Sequence, residues 1–153
     1  MPPGRARAYL VRHARAEKEH PDGDGARRLT AEGRERFREL LSGLSGSLAV
    51  ARILTSPLAR ARETAELLAA ATGAPVEEEE ALASGRSSGR DLLALARGAG
   101  DGAALVGHNP ELAEAVALAA GRGEEVKPGA VAAVDFLPGG PALAWLRKPP
   151  KLP

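Results

Sequence analysis

YLVRHARAE, residues 9–17, decides how this chain folds. Tyr9, Leu10 and Val11 form a short apolar run, suited to a buried strand over 7–12. Arg12 and His13 then end it, and no apolar run resumes until the loop HPDGDGARR (20–28) has passed. The same break recurs downstream. VARILTS (50–56) reads as a second strand stopping at Ser56-Pro57, and AALVG (103–107) as a strand stopping at His108. APVEEEE (74–80) is a short third strand entering a charged, solvated run. Helical patterns lie between the strands. Phe37, Leu40, Leu41 and Leu44 follow Thr30 at helical spacing, and a second helix runs from about Pro57 to Thr72, closed by Gly73. A third lies near 90–97 after the loop GRSSGR, and a fourth runs from Pro110 to about Ala120, ended by Gly121. AVAAVDF and ALAWLR read as a hairpin joined through LPGGP, and PPKLP as a frayed tail.

This alternation predicts a single three-layer α/β domain with a mainly parallel central sheet and helices on both faces. Its core spans about 7–146, with 147–153 as a tail. Such sheets bind ligands outside the carboxyl ends of their strands. Arg12 and His13, Ser56 and Arg60, and His108 all belong to such ends. Ser56 and Asn109 suit helix N-caps, with Pro57 and Pro110 as first helical residues. Two helix N-termini would then face the same region, an environment that favours anions.

Composition narrows the chemistry. With 153 residues and a net charge of +1, the chain has the size of one domain and no overall bias toward nucleic acid or membranes. An aromatic content of 3% argues against base stacking. The absence of cysteine excludes disulfides, thiolate catalysis and zinc–thiolate sites. No apolar run reaches membrane-spanning length, and the apolar run after the basic start is too short for a signal peptide, so a soluble cytoplasmic protein is expected. The lack of glutamine and the single asparagine fit a thermophile, although a GC-rich genome leaves the same bias.

Two histidines and two arginines at strand ends suit phosphoryl transfer. A neutral imidazole can attack phosphorus, and guanidinium groups clamp the non-bridging oxygens, so no metal or cofactor is required. Read alone, each of these residue types is more often a satisfied or surface side chain. Arg5, Arg7 and Arg15 read as solvated arginines, and His20 as a solvated loop residue.

Four motifs then carry a resemblance: LVRHARAE (10–17), RRLTAEGRER (27–36), LTSPLARARETA (54–65) and LVGHNPEL (105–112). In order and spacing they resemble the histidine phosphatase (phosphoglycerate-mutase-like) superfamily, over about residues 7–146. Ala14 stands where that family usually has glycine, which is closer to the small SixA-type phosphohistidine phosphatases. The resemblance implies a phosphoglycerate-mutase-like fold without the large helical insertion. It implies His13 as the phosphorylated nucleophile, Arg12 and Arg60 as phosphate ligands, and His108 completing the phosphate pocket. Larger members supply a carboxylic acid from a segment after the third strand. Here VEEEEALASGRSSGRD (76–91) is short, with Ala81 at the expected place and Glu80 the nearest candidate acid.

The function this implies is a metal-independent phosphatase acting on phosphohistidine of a signalling protein. A small-molecule phosphomonoesterase is the alternative, and a non-catalytic phospho-ligand module the rival from another class. The partner is then a phosphohistidine-bearing protein or a small phosphorylated substrate, with no nucleic acid and no membrane.

Overall fold

The computed structural model describes residues 6–153; Arg5 lies outside them. In chain order the elements are β1 (Ala6–Arg12), α1 (Ala31–Leu44), β2 (Arg52–Thr55), α2 (Ala59–Thr72) and β3 (Val76–Glu78). They continue with α3 (Gly89–Ala99), β4 (Ala103–Gly107), α4 (Glu111–Ala120), β5 (Val131–Leu137) and β6 (Gly140–Arg147). Single 3-10 turns lie at Asp24–Ala26 and Glu80–Leu82.

The sheet runs β3-β2-β4-β1-β5-β6. The first four strands are mutually parallel, while β5 pairs antiparallel with β1 and β6 closes the expected hairpin. The sheet is therefore mixed, and β1 lies at the change from parallel to antiparallel.

Strand alternation explains the layers. Ala8 and Leu10 of β1 face a core with Leu92, Leu93, Leu112 and Val116 from α3 and α4. Tyr9 and Val11 face the opposite core, with Phe37, Leu40 and Leu41 of α1 and Ala61, Ala65 and Leu68 of α2. A side-chain period of two sends neighbouring residues to opposite faces, so one apolar run needs helices on both sides.

Helix starts differ from the sequence reading. Helix α2 begins at Ala59, because the Ser56 hydroxyl accepts the Leu58 N–H (3.2 Å) in a turn before the helix. Helix α4 begins at Glu111, after a cis Asn109-Pro110 peptide; Asn109 Oδ1 accepts the Ala113 N–H (3.2 Å) from one turn further on. Neither Ser56 nor Asn109 is the N-cap. Thr30 does cap α1, accepting the Gly33 N–H (2.9 Å), and Ser88 with Asp91 forms a reciprocal capping box on α3.

Two further expectations are corrected. Arg7 is not a simply solvated arginine: Nε (2.7 Å) and Nη2 (3.0 Å) both donate to the Asp135 carboxylate. The C-terminal segment is not frayed over Pro149-Pro150. Pro149 is buried, and Arg36 Nε donates to the Pro150 carbonyl (2.9 Å). His20 is half-buried, with Nδ1 accepting the Asp22 N–H (3.0 Å). The run Val76–Glu78 is exposed, as its charges require.

Candidate active site

The carboxyl ends of β1, β2 and β4 lie side by side, with Arg12 opposite Gly107 and Thr55 opposite Val106. That register brings the two histidines together. The rings of His13 and His108 stand 5.1 Å apart between centroids, tilted by 54°. Arg60 joins them from the first turn of α2.

His13 is buried, and its Nδ1 lies 2.8 Å from the Ala14 carbonyl oxygen. A carbonyl oxygen only accepts, so Nδ1 carries the proton and Nε2 of the neutral ring keeps its lone pair. Burial pushes the His13 pKa down to about 4, the Ala14 carbonyl opposes this, and the cations Arg60, Arg12 and Arg27 lower it further. His108 is driven to about 3, by burial first, then by His13 and Arg60, with Asp24 pulling the other way. Both rings are therefore neutral at pH 7.

Local chemistry holds this geometry. Thr64 Oγ1 donates to the Arg60 carbonyl (2.8 Å) and accepts the Ala14 N–H (2.9 Å), tying the residue after His13 to α2. Ser56 Oγ lies 2.8 Å from His108 Nε2. The Val126 carbonyl accepts both Arg12 Nη1 (2.9 Å) and Asn109 Nδ2 (3.0 Å), which orients the Arg12 fork. Gly129 reaches back from the same loop, its N–H donating to the His13 carbonyl (2.9 Å). Its φ of +80 and the closeness of Pro149 leave no room for a side chain.

Asp24 completes the cluster, and no sequence motif singled it out. Its carbonyl accepts Arg60 Nη1 (2.9 Å), its carboxylate accepts Arg60 Nη2 (3.2 Å), and the other carboxylate oxygen accepts Arg27 Nη1 (3.0 Å). The hydrogen bond from Arg27, reinforced by the charge of Arg60, lowers its pKa, so it stays a carboxylate. Its contacts span 36 positions, and within HPDGDGARR nothing local distinguishes it from Asp22.

Glu80 is exposed and pairs with Arg86 at 3.6 Å. Asp24 is the one carboxylate among the strongest influences on His108. Arg15 is exposed beyond His13. Among the described residues, three buried side-chain nitrogens lack a hydrogen-bond partner: Arg12 Nε, Arg60 Nε and His108 Nδ1. All three belong to this one cluster. Unmet buried polar groups cost about 1–3 kcal/mol each, so folds seldom concentrate them without a use. Two guanidinium groups beside two neutral imidazoles match the charge and donor geometry that a tetrahedral oxyanion requires.

A family profile described as Histidine phosphatase superfamily (branch 1) matches residues 8–91. The chain belongs to the histidine phosphatase superfamily. An uncharacterised protein of Picosynechococcus is 41% identical over 121 residues, covering 74% of this chain and 73% of that protein. Among solved structures, the protein histidine phosphatase SixA complexed with tungstate superposes with a TM-score of 0.81 at 23% identity, covering 94% of this chain and 97% of that one. A SixA protein from Agrobacterium tumefaciens gives 0.82 at 22% identity, with coverage of 94% and 98%. A phosphoserine phosphatase mutant of Entamoeba histolytica, bound to phosphoserine, gives 0.69 at 16% identity, with coverage of 92% and 96%. This superfamily member shares their fold. Between β3 and α3 it carries one 3-10 turn and no large insertion.

Proposed function

We propose that the protein is a metal-independent phosphatase that hydrolyses phosphohistidine displayed on a protein, through a phosphorylated His13. The observation that carries this reading is the neutral His13 ring, with its Nδ1 proton held by Ala14, beside the three unmet nitrogens of Arg12, Arg60 and His108.

In the first step Nε2 of His13 attacks phosphorus while the bond to the leaving group breaks. Arg12 and Arg60 hold the non-bridging oxygens, and His108 lies opposite His13 to stabilise the transferring group. Phosphoryl transfer passes through a loose transition state, so positioning and fixed positive charge supply most of the catalysis. In the second step water attacks phosphorus of phosphorylated His13, releasing inorganic phosphate and restoring Nε2. The fixed cations take the place a divalent ion would have.

Leaving-group chemistry selects the substrate class. An alkoxide needs a proton as its bond breaks, and a positioned acid contributes typically about 10²–10⁴-fold. Asp24 is held as a carboxylate, and Glu80 is engaged by Arg86 at the surface. The imidazole of phosphohistidine can carry its own proton near neutral pH and leaves without that help. The short segment after β3 leaves the site open to a histidine presented on a protein surface. The SixA structure bound to tungstate, which shares this fold, is that of a protein histidine phosphatase.

The test compares kcat/KM for phosphohistidine, an aryl phosphate and an alkyl phosphate such as glycerol phosphate. The first two are expected to turn over, with acid-labile phosphate trapped on His13, and the third far more slowly. An alkyl phosphate matching phosphohistidine would overturn the reading, make the protein a general phosphomonoesterase, and call for Glu80→Gln.

A further inference from the structure

Beside the histidine cluster lies a concavity of about 540 Å³ whose lining includes Arg15, Arg36, Lys127, Lys148 and Lys151 and no acidic residue. The chain as a whole is near charge balance at +1, so five cations around one hollow are a local excess. Arg36 has Glu32 at 3.7 Å and Lys127 has Glu125 at 3.1 Å. Arg15, Lys148 and Lys151 form no ion pair among the described residues. Pro149 is buried and Arg36 donates to the Pro150 carbonyl, which pins the lysines flanking that pair over the start of α1.

The hollow is joined to the reaction centre by backbone. Arg15 follows His13 by two residues, at most about 7 Å of extended chain. Lys127 and Pro128 precede Gly129, whose N–H donates to the His13 carbonyl at 2.9 Å. A protein that presents a phosphoryl group to His13 would therefore bring its neighbouring surface close to this basic hollow.

We propose that the hollow docks an acidic segment of the protein substrate, adjoining the phosphohistidine; this rests on the function proposed above. On a helix, residues three and four apart share a face and one turn rises 5.4 Å. Carboxylates within one or two turns of the phosphohistidine are the ones that such a hollow would meet. A concave, proline-walled site without aromatic residues suits carboxylates on a peptide. It offers no stacking surface for bases and no apolar anchor for a bilayer.

Two measurements test this. In the first, fluorescence anisotropy follows a labelled helical peptide bearing four glutamates and no phosphate, with a glutamine counterpart as control. The glutamate peptide binds more tightly, and its binding weakens in 0.5 M NaCl, roughly as expected for screened surface charges. Lys148→Gln/Lys151→Gln weakens it by about fivefold, the size expected for two exposed ion pairs, and Lys148→Glu/Lys151→Glu by more. Equal affinity for both peptides, or for wild type and variants, overturns the proposal. So does single-stranded RNA binding to this face where the peptide does not.

In the second, phosphohistidine peptides with glutamate or glutamine flanks are compared as substrates. Wild type prefers the acidic peptide through KM, the lysine variants lose that preference, and aryl phosphate turnover is the same in all. A preference that survives in the variants refutes docking at this face. If no phosphorylated compound turns over, the catalytic reading fails, while the anisotropy measurement still decides the docking surface.

Discussion

Acid should unfold this protein through its two buried histidines. His13 and His108 are held neutral in the fold, with pKa values near 4 and 3. In the unfolded chain each returns to about 6.5. As pH falls from 7, the unfolded chain takes up protons that the folded chain refuses, so folding loses stability. That loss begins near 6.5 and continues until the folded rings protonate in turn, near 4 for His13 and near 3 for His108. One refused proton is worth about 1.4 kcal/mol per pH unit, so between 6.5 and 5 each histidine accounts for about 2 kcal/mol and the pair for about 4. A domain of this size is stable by about 5–15 kcal/mol, so the loss is a large fraction of the whole. Urea unfolding in phosphate-free buffer at pH 7, 6 and 5 reads it directly. The midpoint should fall by about 2 M over that range for an m-value of about 2 kcal/mol/M. His13→Gln should remove about half of the dependence, and His13→Gln/His108→Gln nearly all of it. Carboxylates contribute little here, because their ordinary pKa values lie below the window. A wild-type midpoint no more sensitive to pH than that of the double variant would refute the assignment of both rings as buried and neutral.

Other consequences are equally direct. Arg60→Ala should lower kcat/KM by about a hundredfold, the usual loss for one preorganised donor, and Arg60→Lys should recover part of it because lysine lacks the planar fork; steady-state kinetics on an aryl phosphate decide this. Gly33→Ala drives a methyl group into the Arg15 carbonyl, where α1 meets the segment after His13. It should cost about 1–3 kcal/mol in chemical denaturation, by overpacking. Activity should survive EDTA unchanged, since in the proposed mechanism Arg12 and Arg60 supply the charge that a divalent ion would bring; loss on chelation and recovery with Mg²⁺ would overturn the mechanism.

What could be read from sequence followed from local signals. The runs ending at Arg12 and His108 were legible because a buried strand excludes polar residues until it emerges. The segments RRLTAEGRER and LTSPLARARETA gain physical content in the fold. Thr30 caps α1, Gly33 admits the Arg15 carbonyl, and Thr64 fastens Ala14 to the carbonyl of Arg60. The errors were of contact at a distance. Ser56 looked like an N-cap because its sequence neighbours suit one, but its hydroxyl serves the turn at Leu58 and faces His108. Asn109 similarly spends its amide on Val126 across the site. Asp24 was invisible because Arg60, the partner that brings it to the cluster, lies 36 residues away on α2. The tail looked frayed because Arg36, which holds it, lies more than a hundred residues upstream.

The placement of β1 has a consequence for how activity arises during folding. The strand leading to His13 is the first in the chain, yet its neighbours in the sheet are β4 and β5, among the last. Tyr9 pairs with Ala104 on one side and Ala133 on the other. Such distant pairings must close long loops before they are rewarded, which places their formation late and slow. The loop that orients Arg12 through Val126 comes from between α4 and β5, so it arrives with the same late event. An N-terminal fragment ending before Ala103 would therefore contain His13, Arg12, Asp24 and Arg60 without assembling a site.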